Sequence, residues 1–276
     1  MTHGSNRSQA EDGAFAEYIV VKADVQIKIP ADGSFSRAAT LGLGMITAGQ
    51  GLYQAMQLSW PSSQEGNKHD HSSLGKYVLV YGGSTGSAPF GCFGNPALAR
   101  VRAPVTYLPI TTCSKHNFDY VTSIGAKAAF DYHDTDCAQQ ISKYTNGSLH
   151  YAWDCISSES SAQLCADALT SGDNDVRYGC LLPVDFPRKD VKVTHTLAYT
   201  AFGDPYDKGW AILEEGDTKD FEFAKRWVAV TERLIQEGRI QPHTPKIGQG
   251  GLEGVLKGLE LLKEDAVSGQ KLVYEL

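Results

Sequence analysis

The sequence predicts an α/β fold built on a doubly wound parallel sheet. Two observations carry this prediction: short apolar segments alternate with helical patterns from residue 77 onward, and the first of these segments ends in glycines. Strands that alternate with helices are joined by right-handed crossovers, which place the strands parallel and the helices on both faces of the sheet. The chain has 276 residues. This exceeds the roughly 100–200 residues of one domain, so either two domains or one large α/β unit with an appendage is expected.

Six short apolar segments supply the predicted strands. The first, YVLVY, is an uninterrupted apolar run, as expected of a strand that is buried on both faces of a parallel sheet. Helical patterns lie between several of the segments, for example at residues 118–125 and 160–169. The strands are predicted at residues 77–81, 108–113, 128–131, 151–154, 178–182 and 191–199.

The residues before this series predict two strands and one short helix. Residues 13–21 and 25–29 alternate or cluster apolar side chains, which is typical of strands. Ser34 is a residue type that caps helices, and it opens a short helical pattern through Arg37. A change of pattern near Pro61 separates these elements from the alternating series.

The end of the chain predicts two helices and a last strand. Residues 221–236 carry apolar side chains on one helical face, with Thr218 able to cap this helix and Gly238 able to end it. A second helix is predicted to begin near Leu252, and residues 271–274 are predicted to form a terminal strand. Both helices are interpreted as packing elements.

The charge and hydropathy of the chain exclude several classes of function. A formal charge of −7, without a stripe of lysine or arginine, offers no attraction for a nucleic-acid backbone. The chain has 42% hydrophobic and 21% charged residues and no apolar run long enough for a bilayer, so no membrane span is expected. Residues 1–13 lack the pattern of a secretory signal or transit peptide, so a cytoplasmic location is expected.

The cysteines and histidines do not predict a metal site. The six cysteines lack paired spacing, which argues against both a disulfide framework and a structural zinc site. His69 and His71 lie in a polar stretch that is typical of a solvated loop. A catalytic zinc needs three protein ligands around an open position, and none of the usual ligand spacings is present.

A glycine-rich turn directly follows the first strand of the series. Glycines at this place let backbone N–H groups approach a pyrophosphate without obstruction by side chains. The turn follows the carboxyl end of its strand, which is where such a sheet binds a dinucleotide. A tight turn that binds no ligand is the alternative interpretation. The turn consists of Gly82, Gly83, Ser84, Thr85, Gly86 and Ser87.

The residues after the second strand indicate which dinucleotide would bind. A site for NADH has an acidic side chain there for the ribose 2′-hydroxyl, whereas this chain has no carboxylate before Asp119. A cationic, hydrogen-bonding group suits the 2′-phosphate of NADPH. An exposed polar helix cap, with Ser114 as the capping residue, is the alternative. The group consists of Ser114, Lys115, His116 and Asn117.

Motifs along nearly the whole chain resemble, in order, the signatures of one protein family. The first are GAFAEY at residues 13–18, IP at 29–30, AATL at 38–41 and TAGQGLYQ at 47–54. After the glycine turn follow FDY at 130–132, TAFGD at 200–204 and VSGQKLVY at 267–274. The chain resembles the trans-acting enoyl reductases of fungal polyketide synthases. These are zinc-free, quinone-oxidoreductase-like members of the medium-chain dehydrogenase/reductase superfamily.

The resemblance implies a Rossmann sheet combined with a partial GroES-like β domain. It places a partial GroES-like substrate domain at residues 1–59 and a Rossmann NADPH-binding domain at residues 60–205. Residues 206–276 would supply helices and a strand that return to the substrate domain. The chain is expected to be truncated at its N-terminus relative to the family, and members of the family are often monomeric.

The resemblance also implies roles for particular residues. The cofactor NADPH would be held by Ser84, Thr85, Gly86, Ser87, Ser114, Lys115, His116 and Asn117, with Tyr132 against it and Val267 and Ser268 closing over it. The acyl substrate pocket would be lined by Thr47, Ala48, Gly49, Gln50, Gly51, Leu52, Tyr53 and Gln54, and by Thr200, Ala201, Phe202, Gly203 and Asp204. A half-buried aromatic at a strand end is the alternative for Tyr132, and simple helix packing is the alternative for residues 47–54.

The activity implied by the resemblance is reduction of an α,β-unsaturated acyl thioester on a carrier domain of a polyketide synthase, in secondary metabolism such as toxin biosynthesis. A hydride passes from the nicotinamide to the β-carbon, the enolate is stabilised by hydrogen bonds, and the α-carbon takes a proton. No residue is assigned as the proton donor, so the catalytic residues stay unknown. The alternatives are an inactive remnant that binds nucleotide or a synthase, and a quinone or enone reductase that acts on free small molecules.

One segment departs from the family pattern. Residues 88–109 contain several prolines and glycines where a crossover needs a continuous helix, and each proline inside a helix costs about 3 kcal/mol. The helix that should follow the glycine turn is therefore predicted to be broken or missing. A difference in reading frame or splicing is a hypothesis for this segment.

Overall fold

A six-stranded parallel sheet forms the centre of the molecule. The computed structural model describes residues 7, 13–61, 75–86, 107–240 and 242–276. The strands are ordered β3-β2-β1-β4-β5-β6, which is the order of a Rossmann dinucleotide-binding sheet. The doubly wound parallel sheet predicted from the sequence is therefore confirmed. Its strands are β1 (Lys76–Tyr81), β2 (Tyr107–Thr112), β3 (Ala128–Phe130), β4 (Tyr151–Asp154), β5 (Arg177–Cys180) and β6 (Lys192–His195).

Both faces of the sheet are buried, as the uninterrupted apolar pattern of β1 predicted. Val78 and Val80 pack into one hydrophobic cluster, whereas Leu79 and Tyr81 pack into a second cluster on the opposite face. Side chains alternate between the faces of a strand, so an all-apolar strand needs a core on each side. The crossovers in the described part of the chain carry α3 (Phe118–Ser123), α4 (Cys137–Tyr144) and α5 (Glu159–Ala168).

The last strand is shorter than predicted. It was expected to reach residue 199, but β6 ends at His195 and a 3₁₀ helix, Ala198–Phe202, follows. The Thr200 hydroxyl donates to the Leu197 carbonyl oxygen at 3.1 Å, beside the backbone bond from Thr200 N to the same oxygen. Local bonds of this kind compete with the ladder of a sheet.

The prediction of strands at residues 13–21 and 25–29 is wrong. Residues 13–18 form bends, and Ala23–Val25 form a 3₁₀ helix. A strand needs a neighbour for its backbone N–H and C=O groups, and none pairs with these residues within the described ranges. Val20 is consequently 97% exposed.

The short helix after Ser34 is confirmed and leads into a longer helical region. Helix α1 is Phe35–Ala38, and the Ser34 side chain accepts a hydrogen bond from Arg37 N. Helix α2, Gly42–Ala48, continues directly as a π-helix over Gly49–Ala55. A π-helix is rare and often occurs at a functional site.

The C-terminal elements agree with the sequence except at one helix cap. The two-stranded antiparallel pair β7 (Tyr206–Asp207) and β8 (Ile212–Leu213) precedes helix α6, Thr218–Gln236. The cap is Asp217 and not Thr218, because the Asp217 carboxylate accepts from the N–H groups of Lys219 and Asp220. Gly238 follows the end of the helix with a φ of 67°.

The last elements form a small parallel ribbon. Strand β9 (Pro245–Gly248) pairs with β10 (Lys271–Tyr274), and helix α7 (Gly251–Lys263) lies between them in the chain. The helix near Leu252 and the terminal strand are thus confirmed. Within the described ranges, no helix combines the length and the apolar character that a membrane crossing requires.

Candidate active site

The glycine turn is fixed to the end of β2. Gly82 has a φ of 85°, a conformation that glycine adopts without strain. The N–H groups of Gly82 and Gly83 both donate to the Thr112 carbonyl oxygen, at 3.2 and 2.9 Å. Thr85 N donates to the Gly82 carbonyl oxygen at 2.9 Å. The turn is therefore held at the carboxyl end of β1, beside the crevice at the carboxyl ends of β1 and β4.

Two features of the turn suit an anionic ligand. The Thr85 hydroxyl is buried and has no hydrogen-bond partner among the described residues, although buried hydroxyls are normally paired. At Gly86, no described atom lies within 4 Å of the place where a Cβ would stand. Among the described residues, the turn thus carries one unpaired hydroxyl donor, at Thr85. Ser87, the last residue of the predicted turn, and the segment 88–106 lie outside the described residues.

The polar group after β2 presents a cation at the same edge of the sheet. Lys115 Nζ lies 3.3 Å from Asp134 Oδ1 and 3.7 Å from Asp131 Oδ2, with 67% of its side chain exposed. The hydrogen bond to Asp134 raises the pKa of Lys115, so the ammonium stays charged. Ser114 makes no capping bond through its side chain and lies 3.4 Å from the Tyr132 hydroxyl. Ser114 thus occupies the N-cap position of the 3₁₀ helix Lys115–Asn117, but its hydroxyl does not cap that helix.

The C-terminal segment closes onto this polar group. Asn117 Nδ2 donates to Ser268 Oγ at 2.9 Å, and His116 Nε2 lies 3.2 Å from the same oxygen. Gly269 follows with a φ of 64°, and a Cβ there would lie 2.8 Å from Asn117 Oδ1. The structure thus brings together predicted cofactor residues from the middle and the end of the chain. Val267, next to Ser268, is half-buried.

Tyr132 lies at the carboxyl end of β3 on the same side. Its ring centroid is 6.1 Å from that of Tyr81 at the end of β1, and 41% of the residue is exposed. Together with the polar group after β2, this ring borders the part of the crevice where an adenosine half would bind.

The two predicted substrate segments meet at a carboxylate that sequence reasoning missed. Asp220, in the first turn of α6, accepts from Gln54 Nε2 at 2.5 Å and from Gln50 Nε2 at 3.3 Å. The Thr200 hydroxyl also donates to Asp220, and Gln50 Nε2 donates to Thr200 Oγ1 at 2.9 Å. Nothing in the local sequence distinguishes Asp220 from an ordinary acidic residue near a helix start, because its partners lie up to 170 positions away.

Small residues in the first substrate segment allow close packing against tryptophans. A Cβ on Gly49 would collide with the Trp227 indole, and a Cβ on Gly51 would lie 2.6 Å from Trp153 Nε1. Tyr53 stacks at 4.8 Å on Trp227. Since Trp153 belongs to β4, this segment packs beside β4. The residues of the two segments that lie in the hydrophobic core are Ala48, Leu52, Ala201 and Phe202.

The end of the second substrate segment is tied to the start of the chain. Lys22 Nζ bonds to Asp204 Oδ1 at 2.7 Å and to the Phe202 carbonyl oxygen at 2.8 Å. Gly203, between them, has a φ of 72°. Among the described residues, no group of three or more His, Cys, Asp or Glu side chains is arranged to hold a metal ion.

Comparison with curated proteins identifies the family. The trans-enoyl reductase resD of Aspergillus sclerotiorum is 43% identical over 282 residues, which cover 99% of this chain and 76% of that protein. The chain belongs to the trans-enoyl reductase family. A second trans-enoyl reductase, apdC of Emericella nidulans, is 36% identical over 99% of this chain and 72% of its own length. No protein-family model matches the chain. The family indicated by the sequence motifs is confirmed.

Solved structures share the fold of this trans-enoyl reductase. An alcohol dehydrogenase superfamily protein from Novosphingobium aromaticivorans superposes with a TM-score of 0.68 at 17% identity, covering 92% of this chain and 67% of that one. The JamJ enoyl reductase in its apo form gives a TM-score of 0.66 at 16% identity, covering 93% and 68%. The predicted Rossmann-like α/β architecture is therefore shared with these solved structures.

The described residues of the trans-enoyl reductase fit the nicotinamide cofactor that its family uses. The orphan Thr85 hydroxyl and the open position at Gly86 suit a pyrophosphate. The exposed Lys115 ammonium, with no carboxylate at the tip of β2, suits an additional phosphate on the adenosine ribose.

Proposed function

We propose that this chain is a trans-acting enoyl reductase that uses NADPH to reduce an α,β-unsaturated acyl thioester carried by a polyketide synthase. The observation that carries the proposal is the polar group after β2. There, Lys115 is exposed, Ser114 Oγ lies 3.4 Å from the Tyr132 hydroxyl, and Ser268 Oγ accepts a hydrogen bond from Asn117. An NADH-specific site would have an acidic residue at that place.

Separate groups of residues would bind the cofactor and the acyl substrate. Backbone groups of Ser84 to Ser87 and the side chains of Ser114 to Asn117 would bind the phosphates, with Tyr132 against the cofactor and Val267 and Ser268 covering it. Residues 47–54 and 200–204, joined through Asp220, would line the acyl pocket. We further propose that residues 60–205 act as the cofactor domain, while residues 1–59 and 206–276 supply the substrate side.

The chain's contribution to the chemistry would be positioning and exclusion of water. NADPH supplies a hydride to the β-carbon of the enoyl group, and the α-carbon takes a proton. The buried packing of Gly49 and Gly51 on tryptophans would keep the wall of the acyl pocket rigid. A rigid wall would hold the reacting carbon in one place.

The test has two stages. Purified protein is first titrated with NADPH and with NADH while the fluorescence of the nicotinamide is followed. We expect saturable binding of NADPH and weaker binding of NADH. Oxidation of NADPH is then measured with an enoyl thioester on an isolated carrier domain of a polyketide synthase, and with a free enone of the same chain length.

Each result separates the proposal from its alternatives. Faster oxidation with the carrier-bound thioester supports the proposed substrate class, whereas a preference for the free enone would indicate a quinone or enone reductase. NADPH binding without oxidation of either substrate would indicate an inactive remnant. Absence of binding at millimolar NADPH would refute the cofactor site.

A further inference from the structure

A buried carboxylate at the carboxyl end of β4 accepts hydrogen bonds from two sides. Asp154 is 0% exposed. Its Oδ1 accepts from the backbone N–H groups of Ile156 at 2.9 Å and Ser157 at 2.8 Å. Its Oδ2 accepts from the hydroxyls of Ser161 at 2.6 Å and Tyr178 at 2.8 Å. A carboxylate without contact to water is tolerated only when its oxygens are paired in this way.

These bonds hold a strained residue in the loop after β4. Ser157 has a φ of 61°, which is uncommon for a residue other than glycine and persists only where the surroundings enforce it. Its hydroxyl donates to the Asp154 carbonyl oxygen at 3.1 Å and accepts from Leu181 N at 2.8 Å. The buried hydrogen bonds of Asp154 hold this strained conformation at the carboxyl end of β4. Strain that is held in this way indicates that the conformation of the loop has a function.

The same loop carries an exposed apolar side chain at the crevice. Ile156 is 45% exposed, and its Cγ1 lies 3.1 Å from the position that a Cβ on Gly82 would take. Gly82 is the first residue of the turn that would face the pyrophosphate. Ile156 therefore lies at the carboxyl ends of β1 and β4. With the adenosine half bound toward β2, the other half of a dinucleotide lies toward β4 and β5.

We propose that Asp154 is a positioning residue for the nicotinamide half of the cofactor. By holding Ser157 in its left-handed conformation, Asp154 fixes the position of the neighbouring Ile156. The apolar side chain of Ile156 then forms the surface against which the nicotinamide half of the dinucleotide binds. The cofactor in this inference is the one in the proposed function, on which the inference rests. Asp154 itself does not touch the cofactor, and its effect passes through the loop.

The experiment compares a whole cofactor with a fragment of it. Adenosine 2′,5′-bisphosphate contains the adenosine and the 2′-phosphate but lacks the nicotinamide half. Dissociation constants for NADPH and for this fragment are measured on the full chain and on Asp154→Ala. We expect NADPH to bind about tenfold more weakly to the variant, equal to about 1.4 kcal/mol, while the fragment binds as it does to the unaltered chain.

A second variant covers the case in which Asp154→Ala does not fold. Tyr178→Phe removes one of the four hydrogen bonds and keeps the ring, which stacks on Phe186 at 4.2 Å. We expect a smaller loss, about threefold, again for NADPH alone. Its matched control is Tyr151→Phe, because the Tyr151 hydroxyl donates to Asp175 at 2.8 Å between the same two strands, at the opposite edge of the sheet. The control is expected to bind both ligands normally.

A glycine substitution at residue 157 distinguishes a positioning role of Asp154 from a general effect on the stability of the protein. Glycine adopts a positive φ without the cost that a Cβ imposes, so Ser157→Gly placed in the Asp154→Ala background should recover part of the NADPH affinity. An equal loss for NADPH and the fragment in both Asp154→Ala and Tyr178→Phe, or no loss for either ligand, overturns the inference. If the unaltered chain binds the fragment but not NADPH, the inference falls while the phosphate site of the proposed function survives. If it binds neither, both fall.

Discussion

Asn117 Nδ2 donates a hydrogen bond to Ser268 Oγ at 2.9 Å, although the two residues are 151 positions apart. The bond joins the polar group after β2 to the segment that precedes β10. A ligand phosphate bound at Ser114 and Lys115 would therefore contact two distant parts of the chain together. Four predictions follow from this and the neighbouring geometry.

The first prediction concerns the discrimination between NADPH and NADH. Lys115→Ala removes the one exposed ammonium of the 3₁₀ helix Lys115–Asn117, and a hydrogen bond to a charged group contributes about 1.5–3 kcal/mol. We expect NADPH to bind at least about tenfold more weakly and NADH to be unaffected, as measured by fluorescence titration.

The control for Lys115 is an exposed lysine at the opposite, amino-terminal end of the sheet. Lys127→Ala, just before β3, should change neither dissociation constant. A loss of the same size for NADPH and NADH in Lys115→Ala would show that the lysine does not read the 2′-phosphate.

The second prediction separates two effects of glycine in the turn, one on the binding of NADPH and one on the stability of the fold. Gly86 has space for a Cβ among the described atoms, so Gly86→Ala should leave the urea midpoint unchanged while it obstructs the approach of a pyrophosphate. We expect NADPH affinity to fall about tenfold or more. Gly83→Ala, whose Cβ would collide with Thr111, should instead destabilise the fold by about 1–3 kcal/mol. Normal NADPH binding by Gly86→Ala would mean that the cofactor does not use this turn.

The third prediction tests the junction of the substrate segments. Asp220→Ala removes the acceptor of the Gln54 amide, whereas the Thr200 hydroxyl keeps the Leu197 carbonyl oxygen as an acceptor. One unsatisfied polar group costs about 1–3 kcal/mol. We therefore expect the free energy of unfolding to fall by about 1–3 kcal/mol and the KM for the acyl thioester to rise more than kcat falls.

A neighbouring exposed pair provides the comparison for Asp220. Glu222 bonds to Lys225 on the surface of α6, and such exposed pairs contribute little to stability because water screens them. Glu222→Gln should therefore unfold at nearly the same urea concentration as the unaltered chain. If Asp220→Ala were equally neutral, the carboxylate would not join the two segments.

The fourth prediction concerns pH. Burial lowers the pKa of His243, which is 1% exposed, below its ordinary value of 6.5, and nearby Lys271 adds to this effect. The unfolded chain thus takes up this proton at a higher pH than the folded chain. The stability that depends on a neutral His243 is present above pH 6.5 and is lost as the pH falls from 6.5 toward the folded-state pKa.

Urea unfolding at a series of pH values measures this effect. The midpoint should fall on acidification below about pH 6.5, and the slope should be smaller in His243→Gln. His195→Gln, at an exposed position, is the control and should retain the slope of the unaltered chain. An identical slope in all three proteins would assign the acid sensitivity to other groups.

Local patterns predicted the sheet and its phosphate turn. The strand at residues 151–154 was predicted with the bounds it has, and β1, β2, β3 and β5 differ from prediction by a residue or two at their ends. Both predictions rest on short-range physics. A parallel strand that is buried on both faces is mostly apolar, and a glycine lets the backbone bend at a positive φ directly after it.

Elements whose partners lie elsewhere were predicted less well. Residues 13–21 have the composition of a strand, but a strand exists only where a neighbour accepts its hydrogen bonds. The cap of α6 moved from Thr218 to Asp217 by one position, because a carboxylate reaching two N–H groups outcompetes a hydroxyl.

The sequence by itself determined the alternation of strands and helices, the glycine turn, the cationic residue after β2 and the family. Only the tertiary structure decided that Ser268 meets Asn117, that Asp220 joins two helical segments, and that Asp154 holds a left-handed serine at the crevice. These contacts join residues that no local pattern relates, because a hydrogen bond is set by the distance between two atoms in space and the sequence records only their separation along the chain.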